Sequence, residues 1–80
     1  MRKQIKVIGI THKVGKTKDG NSYDFNLLHG IYPDDNTEGN AAVSVTIPED
    51  VVPTIEIGKE YLLFTHFYNG RERFDVILPV

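Results

Sequence analysis

Cysteine is absent from the 80 residues, which excludes disulfides and thiolate metal ligands, the usual staples of a small scaffold. A chain of this length buries only about 60% of the surface its unfolded form exposes. The fold must therefore depend on a compact β-barrel, on oligomerisation, or on both. The lack of cysteine fits a reducing compartment. No apolar run approaches the roughly 20 residues of a membrane-spanning helix. The start, Met-Arg-Lys-Gln-Ile-Lys-Val-Ile-Gly-Ile, is basic but has no apolar stretch long enough for a secretory signal. A cytoplasmic protein is expected, in the host cytoplasm if a phage encodes it, with no membrane partner.

Helical periodicity is also missing, since apolar residues nowhere recur at helical spacing over three turns. Repeats, linkers and low-complexity tracts are absent too, so residues 1–80 read as one domain. The first 18 residues hold no acid. Arg2, Lys3, Lys6, Lys13, Lys16 and Lys18 all fall there, and all 11 acids lie from Asp19 onward. The formal net charge is −2, which argues against a nucleic-acid partner, but a local basic stripe makes a local field whatever the total.

What is present is β-chemistry. Residues 3–12 are rich in β-branched side chains, with Ile5 and Val7 on one face and Lys6, Ile8 and Ile10 on the other. Residues 13–20 read as a turn region ending in Asp19-Gly20, a hairpin signal because glycine accepts positive φ. Over 21–29 alternation resumes, with Tyr23, Phe25, Leu27 and His29 on one face and Asp24, Asn26 and Leu28 on the other. Residues 30–40 carry loop chemistry. Residues 41–47 form a third strand with Val43, Val45 and Ile47 on one face, stopped by Pro48-Glu49-Asp50. Residues 49–57 have room for a helical turn, but Pro53 prevents a full helix. Strands over 60–68 and 71–78 flank Asn69-Gly70, a two-residue turn signal. The last of them places Phe74, Val76 and Leu78 on one face. Together these features predict an all-β fold: a five-stranded antiparallel barrel of the oligonucleotide-binding kind, with a protruding basic hairpin.

Catalytic chemistry finds no foothold. Lys13-Val14-Gly15-Lys16-Thr17 ends like a phosphate-binding loop, but Ile10 stands where that loop needs its first glycine, and a strand follows instead of a helix. His12, His29 and His66 lack metal-ligand spacing, although His29 or His66 could stack on a base. No nucleophile–base signature stands out. The chain reads as a non-enzyme with no metal, cofactor or small-molecule substrate.

One constellation does carry chemistry. Lys13, Lys16 and Lys18 precede Gly20, and Tyr23 and Phe25 follow it on one face. A single nucleic-acid strand is bound by cations along its backbone and flat rings under its bases. Tyr32, Tyr68 and Arg71 join the candidate binding set. One alternative is that Tyr23 and Phe25 are barrel core; another is a small β-barrel protein-interaction module without nucleic-acid binding, which uses an exposed sheet edge or the aromatic patch.

The stretch Gly15-Lys16-Thr17-Lys18-Asp19-Gly20-Asn21-Ser22-Tyr23-Asp24-Phe25, with Leu28-His29 after it and Ile57-Gly58-Lys59-Glu60-Tyr61 further on, resembles the small single-stranded DNA-binding proteins of filamentous phages, the gene-five type. The resemblance implies an oligonucleotide-binding barrel that works as a homodimer and coats single-stranded DNA, with little sequence preference, during phage or mobile-element replication. It implies phosphate contacts for Lys13 and Lys18, the binding tyrosine for Tyr23, and a hydrophobic binding position for Phe25. The Tyr68–Arg71 hairpin falls near the family's dimer loop. Asn21, Ser22 and Asp24 depart from the family pattern, and Arg71 and Arg73 could stand in for basic residues that the fifth strand lacks. DNA and RNA are both open as ligands, since nothing in the sequence identifies a contact to a 2′-hydroxyl.

Overall fold

Five runs rich in Val, Ile, Thr, Tyr and Phe become strands in the computed structural model, which describes residues 2–80. They are β1 (Arg2–Lys16), β2 (Ser22–Pro33), β3 (Asn40–Ile47), β4 (Glu60–Tyr68) and β5 (Arg71–Pro79). All neighbours pair antiparallel, in the order β3-β2-β1-β4-β5. A single 3-10 turn, Val52–Thr54, sits between β3 and β4 and contains Pro53, in keeping with the expectation of a turn too short to be a helix.

The expected barrel does not close. β3 and β5 approach each other but remain the two edges of one open sheet, with no hydrogen-bonded ladder between them. Pro48 ends β3 and Pro79 ends β5, and a proline has no N–H to carry a ladder further. No helix among the described residues is long and apolar enough to cross a membrane.

The core lies on one face of the curled sheet. It comprises Ile5 and Val7 of β1, Leu28 of β2, Val43, Val45 and Ile47 of β3, Tyr61 and Leu63 of β4, and Ile55 from the connection. Each large aliphatic buried this way contributes about 1.5–3 kcal/mol before entropy is counted. Two buried polar side chains, Asn26 and Thr65, share this face.

The local structure departs from the sequence reading in three places. First, β1 runs on to Lys16, so the predicted turn region shrinks to residues 17–21. There the Thr17 amide donates to the Asn21 carbonyl (2.8 Å), the Gly20 amide donates to the Thr17 carbonyl (3.0 Å), and Gly20 has φ +82°. Residues 13–16 lack apolar alternation and are held extended by their cross-strand partners 22–25. Second, the strand also continues through Gly30–Pro33, where loop chemistry was expected, because these residues pair with Asn40–Val43. Third, two β-bulges interrupt the simple alternation. One lies between Val7 and Gly9 and turns Ile10 to the core side, away from Lys6. The other opposes Phe64 to Val76 and Thr65 to Phe74, leaving Asp75 as the extra residue. Phe74 then packs against the core while Val76 and Leu78 face outward.

The β4–β5 hairpin turns at Asn69 (φ +52°) and Gly70 (φ +74°), the pair of positive φ values that a type I′ turn requires.

Candidate nucleic-acid interface

Strand pairing isolates the first hairpin from the rest of the sheet. β4 accompanies β1 only over Arg2–Lys6, and β3 accompanies β2 only from Asn26 onward. Residues 13–16 and 22–25 therefore pair with each other and with nothing else, forming a two-stranded ribbon beyond the sheet body. Its side chains are exposed apart from Gly15 and Phe25, which are half-buried.

The ribbon has two chemically distinct faces. On the outer face Lys13 lies directly opposite Phe25, and Gly15 directly opposite Tyr23. The Tyr23 and Phe25 rings are tilted at 40° with centroids 5.8 Å apart, a separation suited to an attractive aromatic pair. Tyr23 is 40% exposed, so its ring is outside the core. Leu27 and His29 continue the same face, where His29 Nε2 meets Thr11 Oγ1 (2.8 Å) and His29 Nδ1 meets Ser44 Oγ (2.8 Å). With both ring nitrogens occupied across three strands, His29 is a strut of the sheet.

The opposite face carries His12, Val14, Lys16, Asp24 and Asn26. Asp24, the acid next to Tyr23 in sequence, is turned away from the aromatic pair and meets His12 Nε2 at 3.0 Å. The His12 Nδ1 in turn lies 2.7 Å from Asn26 Oδ1. The strand alternation thus removes the one carboxylate that would oppose a phosphate beside Tyr23.

The other predicted residues divide between these surfaces and elsewhere. Lys18 is exposed at the ribbon tip. Lys16 shares the face of Val14 and so stands apart from Lys13. Tyr32 faces the interior, packs against the core, and carries the Lys3 ammonium 5.1 Å from its ring centroid; it lies away from the ribbon. Tyr68 is 61% exposed at the β4–β5 hairpin and lies opposite Arg71.

Arg71 lines a cleft of about 800 Å³ between the ribbon base and the start of β5, together with Arg73, Phe74, Asp24, Phe25 and Asn26. The cleft occupies part of the gap left by the unclosed sheet, and it brings Arg71 and Arg73 to the side of Phe25, with the carboxylates of Asp24, Glu49 and Glu72 in the same lining. Of these residues the sequence marks Arg71, Arg73 and Phe25 as binding candidates and Asp24 as a departure from the family pattern. The parts played by Phe74 and Asn26 depend on the β4–β5 bulge and on the burial of β2, neither of which has a local signature.

The ion pairs leave most cations free. Lys3 binds Glu72 at 3.2 Å, and Lys59 binds Glu56 at 2.9 Å, which holds the Lys59 ammonium above its usual pKa. Among the described residues Arg2, Lys6, Lys13, Lys16, Lys18, Arg71 and Arg73 form no salt bridge. No cluster of three or more metal-ligating side chains occurs among the described residues. Comparisons with protein-family models, with curated proteins and with solved structures find no match to this chain.

Proposed function

We propose that this protein binds single-stranded DNA without strong sequence preference, using the outer face of the β1–β2 ribbon, and acts in coating DNA during phage or mobile-element replication. The observation that carries this reading is the juxtaposition of Lys13 and Phe25 across the ladder, with the exposed Tyr23 ring beside them and no carboxylate paired to the lysine. Rings that accept bases and a free cation that accepts phosphate are the two elements such binding needs. The cleft holding Arg71 and Arg73 gives the strand a continuation past Phe25. The strand order, with β3 and β5 as approaching edges, supports a partly open form of the five-stranded oligonucleotide-binding barrel. The likeness to the gene-five type adds a homodimer to the proposal, which sedimentation of the free protein tests. No residue in this reading performs a reaction, so it describes a binding protein and not an enzyme.

Fluorescence titration with oligo-dT at two salt concentrations tests the binding. Affinity should fall with salt, and Tyr23→Ala should weaken it by about 1–3 kcal/mol. Absence of binding at low salt and micromolar protein would end the proposal.

A second reading, a protein-interaction module, is favoured by one observation: Val76 and Leu78 project outward from β5 at 41% and 45% exposure. Under that reading neither Lys13→Ala nor Tyr23→Ala changes any affinity for nucleic acid.

A further inference from the structure

The ribbon holds only part of the free positive charge on its face of the sheet. Arg2 and Lys6 alternate with the interior residues Lys3, Ile5 and Val7, so they project from the outer face of β1. Simple alternation would put Lys13, an odd position, on the opposite side from these two. The bulge between Val7 and Gly9 inserts one residue and restores Lys13 to their face. Arg2, Lys6 and Lys13 thus line one side of a single strand, and none of them is in a salt bridge. The lysine between the first two, Lys3, points the other way and is consumed by Glu72.

Their neighbours suit a nucleic acid. Across the ladder Arg2 faces Phe64, Gln4 faces Leu62, and Lys6 faces Ile31 on one side and Glu60 on the other. Arg2 and Lys6, about 13 Å apart at four residues along a strand, therefore run beside the apolar side chains Ile31, Leu62 and Phe64, the last an aromatic ring. Glu60 is the only acid among the outer-face partners of β1, and it forms no salt bridge with Lys6.

We infer that the outer face of β1, through Lys6 and Arg2 with Phe64 beside them, is a second segment of the binding site that takes the continuation of the single strand held on the ribbon. This rests on the proposed function and lengthens its site from the ribbon to the body of the sheet. The ligand class is a single-stranded nucleic acid, because exposed cations run beside apolar side chains along one open strand face.

Labelled oligo-dT of about 4 and about 12 nucleotides, titrated against the full chain over a range of salt, separates the two claims. The double variant Arg2→Ala/Lys6→Ala should keep wild-type affinity for the short oligonucleotide and lose affinity for the long one. Its log–log salt slope on the long oligonucleotide should shrink by about 1.4, two contacts at about 0.7 each. An unchanged slope and affinity on the long oligonucleotide, while Lys13→Ala/Tyr23→Ala weakens both lengths, overturns the inference and leaves the ribbon site standing. Wild-type protein that binds neither length overturns both. A change in sedimentation of the free double variant, with its DNA affinity intact, overturns the inference in favour of a second copy of the chain on this face. If the alanine pair unfolds, Arg2→Gln/Lys6→Gln keeps the aliphatic stems and is read in the same way.

Discussion

The phenol ring of Tyr23 lies across Gly15, its directly opposed partner in the β1–β2 ladder. A methyl group at position 15 would meet the tyrosine hydroxyl oxygen and stand 2.6 Å from Cζ. What it meets is the far end of an exposed side chain, which can swing aside at small cost. Gly15→Ala should therefore leave the unfolding midpoint nearly unchanged and displace the ring. The expected result is weaker oligo-dT binding, approaching the loss seen for Tyr23→Ala, measured by fluorescence titration beside thermal unfolding. Wild-type affinity in Gly15→Ala would show that the position of this ring does not matter.

Gly30 gives the opposite outcome from the same kind of contact. A Cβ there would stand 2.7 Å from Ile5 Cδ1 and 3.2 Å from Ile5 Cβ. Ile5 is completely buried and hemmed in by the core, so nothing can move away cheaply. Gly30→Ala should destabilise the fold by about 1–3 kcal/mol through overpacking. Urea unfolding reads this as a lower midpoint at unchanged slope, and an unaltered midpoint would refute the account.

These two glycines show what the sequence makes legible. Gly30 sits among residues that read as a loop, and only the packing of Ile5 onto it explains a glycine inside a buried strand. The alternation of Tyr23, Phe25, Leu27 and His29 on one face was readable, because a strand with no bulge keeps its parity, and so were both hairpin turns. Ile10 and Phe74 were assigned to the wrong faces because a single extra residue, Ile8 or Asp75, reverses parity with no signature in composition. The open β3–β5 gap was likewise hidden, since closure depends on how far the sheet curls and not on any one strand. Of the candidate site, the cations are readable as residue types and the shared face of Tyr23 and Phe25 from parity; which cations join that face is not, because the bulge at Ile8 decides it.

Glu72 predicts a pH dependence. Burial raises its pKa, but the hydrogen bond donated by Thr65 Oγ1 (2.5 Å) and the hydrogen bond and charge of Lys3 outweigh that, and the net value falls below the ordinary 4.5. The unfolded chain then takes up a proton more readily than the native one, so the carboxylate stabilises the fold above about pH 4.5. That contribution is lost as pH falls through the lowered native value. Glu72→Gln should cost about 1–3 kcal/mol at pH 7, with the gap to wild type narrowing at pH 3. Unfolding at the two pH values checks this, and a gap that is constant between them would contradict it.

The bulge at Ile8 has a consequence for how β1 tolerates change in length. Val7 faces Gly30 and Gly9 faces His29, so the residues on either side of Ile8 already meet consecutive partners in β2 and Ile8 itself has none. Deleting Ile8 would therefore close the bulge, set Val7 next to Gly9, and leave Lys13 and Gly15 opposite Phe25 and Tyr23 on the same face as now. Length in β1 is thus forgiving at this one place: Ile8, 51% exposed and outside the ladder, is a residue the strand can lose without turning Lys13 away from Phe25.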